Sequence, residues 1–134
     1  MGKHLVRCLP ALLLACALPL ATLAATPAAA SKQVQTAAAH AGMALGAADL
    51  KMAHAHLQHV VNCLVGPAGT GFDANAANPC KGMGQGAIAD AKGDAATEAN
   101  LQQALQDAES GLKATTLDDA HADARKALSA LQAK

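Results

Sequence analysis

The spacing of apolar residues constrains the fold of this chain more than any other feature. They recur every three or four positions over four stretches, 31–45, 49–64, 101–112 and 117–131, a period that is typical of amphipathic helices. We therefore predict an all-α fold in which 31–65 and 95–132 form two helical hairpins. Packing the hairpins face to face would give a four-helix bundle.

Residues at the ends of these stretches are typical of helix boundaries. Ser31 and Asp49 are suited to be the N-caps of the first two helices. Gly46 is expected to end the first helix, and Gly66-Pro67 to end the second. Between the last two helices, Thr116 and Asp119 resemble a capping box.

The two predicted hairpins align with each other. An offset of 67 residues places Leu50 on Leu117 and His54 on His121. This correspondence suggests a duplicated helical hairpin.

A glycine-rich stretch, 66–94, separates the hairpins and excludes regular helix over most of its length. We expect it to be a long loop with a short helical turn near 87–91, and loops of this length are usually functional or tied down. Its glycines are Gly66, Gly69, Gly71, Gly82, Gly84, Gly86 and Gly93.

The predicted core is lean, because the chain has no Trp or Tyr and a single aromatic residue, Phe72. Leucine, valine, methionine and a large share of alanine must fill it. Alanine permits close helix packing but buries little area, so we expect burial to contribute modestly to stability.

The N-terminus has the order of a secretory signal, with basic residues at Lys3 and Arg7, an apolar run over 8–20 and small residues before Ala25. The run is shorter than the roughly 20 residues that span a bilayer. We expect residues 1–25 to be removed, leaving one domain over 26–134 in the periplasm or secreted. Alternatively, the run ending at Cys16 is a lipoprotein box, and an acylated Cys16 would attach the protein to a membrane.

Cys63 and Cys80 are the cysteines that remain after signal removal. In an oxidising compartment a disulfide is the simplest interpretation. The bridge would close a loop of about 18 residues and contribute on the order of 3 kcal/mol in the chain-entropy model. The alternative is that both thiolates bind a metal.

Several function classes find no support in the sequence. Without Lys3 and Arg7 the chain has eight basic against ten acidic residues, and no basic patch indicates nucleic-acid binding. Residues 82–86 lack the lysine and hydroxyl of a phosphate-binding loop. No CxxCH or GxSxG motif occurs, so covalent heme attachment is excluded and we expect no enzymatic activity.

Histidines form the clearest chemical pattern, with His54, His56 and His59 inside the second predicted helix. Helical geometry places Met52, His56 and His59 on one stripe with Cys63, away from the leucine face. In one interpretation His56 and His59 bind a metal ion, helped by Met52 and by groups of the loop. In the other, the stripe underlies the loop and its histidines donate hydrogen bonds to loop carbonyls.

The identity of the metal depends on the remaining ligands. Methionine with histidine, as in Met52 or Met83, would favour copper. Histidine with a loop carboxylate, Asp73 or Asp90, would favour zinc, nickel or iron.

His54 and His121 form a second candidate set, because the repeat makes them counterparts near a core face. They would share a metal or heme across the bundle, or each would be a hydrogen-bonded structural residue.

The segments Thr36-Ala-Ala-Ala-His40 and His54-Ala-His56-Leu-Gln-His59 resemble those of small exported helical metal-binding bundles of bacteria. The resemblance covers the helices only and implies an exported bundle that binds metal through histidines. This chain has fewer histidines and an inserted Cys63 to Cys80 loop. Those departures favour one defined site over high-capacity metal buffering.

Two functions are therefore predicted. The first is a non-catalytic exported protein that binds a transition metal ion through histidines. The second is a structural or protein-interaction module whose recognition surface is the 66–93 loop, including Phe72.

Overall fold

The structure, a computed structural model, describes residues 27–133. This range holds five helices and no strand, which confirms the all-α prediction. The helices are α1 (Pro27–Leu45), α2 (Leu50–Val65), α3 (Ala87–Asp90), α4 (Ala95–Lys113) and α5 (Leu117–Gln132). The predicted signal peptide, 1–25, and the possible lipidation site Cys16 lie outside the described residues.

Most of the predicted helix boundaries are confirmed. The Asp49 carboxylate accepts a hydrogen bond from the Met52 backbone N–H at 2.8 Å, and Gly66 ends α2 with a φ of 68°. The Thr116 hydroxyl accepts from the Asp119 N–H at 3.1 Å and donates to the Asp119 carboxylate. The contacts to the Met52 and Asp119 N–H groups satisfy backbone donors that the start of a helix leaves without partners.

The N-cap predicted at Ser31 is wrong, because α1 already begins at Pro27. Proline is tolerated in the first turn of a helix, where its missing N–H has no partner to lose. The three alanines that follow have the highest helix propensity of any residue. Ser31 therefore lies inside the helix, one turn from its start.

The long helices pack in two pairs. α1 packs along α2 and α4 packs along α5, while α1 also contacts α5 and α2 also contacts α4. Short connections, 46–49 and 114–116, join the members of each pair, so each pair is an antiparallel helical hairpin.

Alanine dominates the interior. Of the 21 apolar side chains buried in the described residues, 13 are alanine, which lets the helices approach closely. A side chain at Gly111 of α4 would meet the Leu57 Cδ1 atom of α2 at 2.7 Å. A close contact between helices, such as that of α4 with α2 at Gly111, requires a small residue at the position where the helices meet.

Asn62 of α2 holds the first part of the segment between α2 and α3. Its side-chain amide donates to the carbonyls of Asp73 and Ala77 at 3.1 and 3.2 Å. Its Oδ1 atom accepts from the Asp73 N–H at 3.0 Å and from Gln58 Nε2 at 3.1 Å. The side chain is 1 % exposed and has partners for all its hydrogen-bonding groups, so it fixes residues 73–77 against the helix.

The disulfide prediction is confirmed: Cys63 is bonded to Cys80, with 5.2 Å between their Cα atoms. Because Cys63 follows Asn62, two consecutive residues of α2 tie down the same segment. The bridge occupies both sulfur atoms, so thiolate ligation of a metal by these cysteines is not the arrangement in the structure.

We expect a Cys63→Ala/Cys80→Ala variant to melt on the order of 10 °C below the wild type, because the bridge restricts the unfolded chain. Thermal unfolding followed by circular dichroism measures the difference. As a control, adding a reductant should lower the wild-type midpoint and leave that of the variant unchanged. Two titratable thiols in untreated protein that lacks residues 1–25 would contradict the bridge.

Candidate metal centre

Three histidines meet on the outer side of the seam between α1 and α2. His40 comes from α1, while His56 and His59 come from consecutive turns of α2. The 46–49 connection sets the antiparallel register. His40 lies six residues before Gly46 and His56 lies seven residues after Asp49, so the two side chains reach the same level of the hairpin.

The ring nitrogens of these histidines converge. His40 Nδ1 lies 3.2 Å from His56 Nδ1 and 3.3 Å from His59 Nδ1. One nitrogen from each ring can be chosen so that all three lie within 4.8 Å of one another. We call His40, His56 and His59 the histidine triad.

The two distances from His40 to the other rings of the histidine triad suit a single small metal ion. Zinc binds imidazole nitrogen at about 2.0–2.1 Å in tetrahedral geometry, which places ligand nitrogens roughly 3.3–3.4 Å apart. The two Nδ1 separations that involve His40 are close to this value. Three protein ligands leave a fourth position for water or another ligand.

The surroundings of His40 and His59 favour neutral imidazole. Burial, then the nearby His59 and His56, hold the pKa of His40 below its ordinary value of 6.5. Burial, then His56, lowers the pKa of His59. A metal ligand must be neutral imidazole, so these shifts keep both rings available for an ion.

We expect the metal-free protein to lose stability as the pH falls below 6.5, the ordinary histidine pKa. Unfolding restores the ordinary pKa values, so in that range the unfolded chain binds more protons than the folded chain. The stability that depends on neutral His40 and His59 is therefore complete above pH 6.5 and is lost as the pH falls. Urea unfolding at pH 7.5 and 5.5 measures it.

The matched control is a His40→Gln/His59→Gln variant, whose stability should fall less between the two pH values. Equal losses in the variant and the wild type would show that other groups cause the dependence.

The structure brings together only part of the predicted site. His56 and His59 do share a centre, but their third partner is His40 of α1 and not a loop residue. Among the loop candidates, Asp73 forms hydrogen bonds through its backbone with the Asn62 side chain. The Asp90 carboxylate accepts a hydrogen bond from the Gln85 N–H. Neither carboxylate belongs to the histidine triad.

The second candidate set, His54 and His121, lies outside the histidine triad. His121 Nε2 lies 3.1 Å from the Ala47 carbonyl oxygen, which assigns that nitrogen as the donor of a structural hydrogen bond. His54 is partly buried on α2, and its Nε2 atom has no hydrogen-bond partner. Neither residue is part of the histidine triad.

The sequence holds a signal for His40 that periodicity within one helix does not reveal. A residue of the first helix that is as far from the 46–49 connection as His56 must lie beside it in an antiparallel hairpin. Applying this register to the Thr36 to His40 segment identifies His40 as the third candidate ligand.

None of the helices in the 27–133 range combines the length and apolar character required to cross a membrane. No protein-family model matches this chain, and comparison with curated proteins and with solved structures found no similar protein.

Proposed function

We propose that this protein is an exported, non-catalytic metal-binding protein that holds one transition metal ion with His40, His56 and His59. The observation that supports the proposal is the convergence of three imidazoles from two helices within 4.8 Å. Packing alone gives little reason for three histidines to gather at a surface seam, because half-buried imidazoles add little apolar burial. In this proposal the four long helices are a four-helix bundle whose first hairpin carries the site.

The donor set defines the class of metal. The histidine triad contains nitrogen donors and no carboxylate, whereas calcium and magnesium require oxygen ligands. Imidazole suits zinc, copper, nickel and iron. The proposal is therefore a site for a late transition metal.

Export is the second part of the proposal. The signal-like order of residues 1–25 supports it, and so does the Cys63–Cys80 disulfide. Disulfides persist mainly outside the reducing cytosol. Cell fractionation with a C-terminal epitope tag tests this part, and full-length protein in the cytoplasm would contradict it.

Calorimetric titration of residues 26–134 with Zn²⁺, Cu²⁺ and Ni²⁺ at pH 7.5 tests metal binding. We expect one equivalent to bind, with a dissociation constant below about 100 micromolar for at least one ion. Affinity should fall at pH 5.5, because protons compete for the imidazoles. Weaker binding of these three ions and of Cu⁺ would exclude the metal function and favour the alternative in which loop 66–93 recognises a protein.

A further inference from the structure

The two exposed methionines are placed beside the histidine triad. Met43 and Met52 are 50 % and 47 % exposed, and they are the large apolar side chains of the described residues that stand most open to solvent. Met43 follows His40 by three residues on α1, and Met52 precedes His56 by four on α2. Residues at these spacings lie on one helix face, one turn apart.

The register of the hairpin places the two methionines opposite each other. Met43 lies three residues before Gly46 and Met52 lies three residues after Asp49. The His40–His56 contact fixes this register one turn further from the connection. Met43 and Met52 therefore lie at the same end of the triad, at a rise of about 5 Å along the helices from His40 and His56.

We propose that Met43 and Met52 form a copper(I) site with two histidines of the triad, so that both thioethers bind the ion together with His40 and His56. This inference rests on the proposed metal function and names its metal. Thioether sulfur is a soft donor that favours Cu⁺, whereas Zn²⁺ is satisfied by imidazole nitrogen alone. Exposure gives a thioether access to an ion that a buried methionine lacks.

Met83 provides a matched control at the opposite end of the triad. The Thr36 hydroxyl donates to the Met83 sulfur at 3.8 Å, and Thr36 precedes His40 by four residues on α1. Met83 therefore lies on the side of His40 away from Met43 and packs against the core. The proposed copper(I) site does not use it.

The test compares Cu⁺ and Zn²⁺ affinities of the wild type, Met43→Leu/Met52→Leu and Met83→Leu. Leucine conserves volume and removes the sulfur. Cu⁺ affinity is measured by competition with a chromogenic Cu⁺ chelator in the presence of ascorbate, and Zn²⁺ affinity by calorimetry. Since losing even an outer-shell partner costs about 10–100-fold in metal affinity, we expect the double variant to lose at least about tenfold for Cu⁺.

Zn²⁺ affinity of the double variant should stay within about twofold, and Met83→Leu should leave both affinities unchanged. X-ray absorption of the Cu⁺-loaded wild type should show sulfur neighbours that the double variant lacks. A double variant with wild-type Cu⁺ affinity, or a loss confined to Met83→Leu, would overturn the copper(I) site while leaving zinc binding by the triad intact. A wild type that binds no ion would instead overturn the proposed function itself.

Discussion

Replacing His40 with alanine is expected to lower the affinity for Zn²⁺ or Cu²⁺ by roughly a hundredfold or more, although His40 lies outside the histidine-rich segment of α2. His40 Nδ1 is the nitrogen that lies near both other rings, at 3.2 and 3.3 Å. Loss of an outer-shell partner alone costs about 10–100-fold in metal affinity, and a direct ligand contributes more. Calorimetric titration of the variant measures the loss.

His54→Ala is the matched control, because it removes an imidazole from the same helix as His56 without touching the triad. It should bind metal with wild-type affinity. His40→Ala should also unfold at nearly the same denaturant concentration as the metal-free wild type at pH 7.5, since it removes a partly exposed side chain. Retention of affinity in His40→Ala, or loss of affinity in His54→Ala, would move the site away from the triad.

Replacing Gly66 with alanine is expected to destabilise the protein by about 3 kcal/mol or more, because a conformational cost and a steric cost add at this position. Gly66 has a φ of 68° and a ψ of 174°, a backbone region that is essentially confined to glycine and costs a residue with a side chain about 1–3 kcal/mol. A Cβ atom there would also overlap the Gln85 carbonyl. Backbone cannot rotate away as a side chain can, so the segment that leads into α3 would have to move.

Gly66 at the end of α2 and Gly86 before α3 lie where the two backbone segments cross in close contact. A Cβ at Gly86 would lie 2.5 Å from the Val65 carbonyl carbon. Gly86→Ala should therefore produce a comparable loss. Chemical denaturation of both variants measures the free energy of unfolding.

Two other glycines distinguish the conformational cost from the steric cost. Gly82 has a φ of 79° but open space around it, so Gly82→Ala should show the conformational cost alone, about 1 kcal/mol. Gly42 lies in α1 with nothing near its Cβ position, so Gly42→Ala should be neutral or stabilise the protein by up to about 1 kcal/mol. Equal stabilities for Gly66→Ala and Gly82→Ala would show that the contact of Gly66 with the Gln85 backbone adds no steric cost.

The helices could be predicted from the sequence because their signals are local. Asp49, Gly66 and Thr116 each act on backbone groups within four residues, so residue type and position suffice to identify them. The error at Ser31 is also local in origin. Serine is a good cap residue, but the helix propensity of the alanines before it decides where α1 begins.

The site could be predicted only in part, because it depends on which helices face each other. Spacing on one helix identifies His56 and His59, but His40 belongs to another helix and joins them through the register of the hairpin. Asn62 escapes prediction because a polar residue in a helix usually faces water, and its burial follows from the segment that folds over it. These contacts between distant segments are tertiary and leave no periodic pattern in the sequence.

Long-range nitrogen–proton NMR correlations of the imidazole rings, recorded before and after one equivalent of Zn²⁺, identify the metal ligands one residue at a time. We predict that one ring nitrogen of each of His40, His56 and His59 moves to the metal-bound range together. The nitrogens of His54 and His121 should stay in place. Unchanged signals for the triad, or metal-induced shifts at His54 and His121, would contradict a metal centre at the histidine triad.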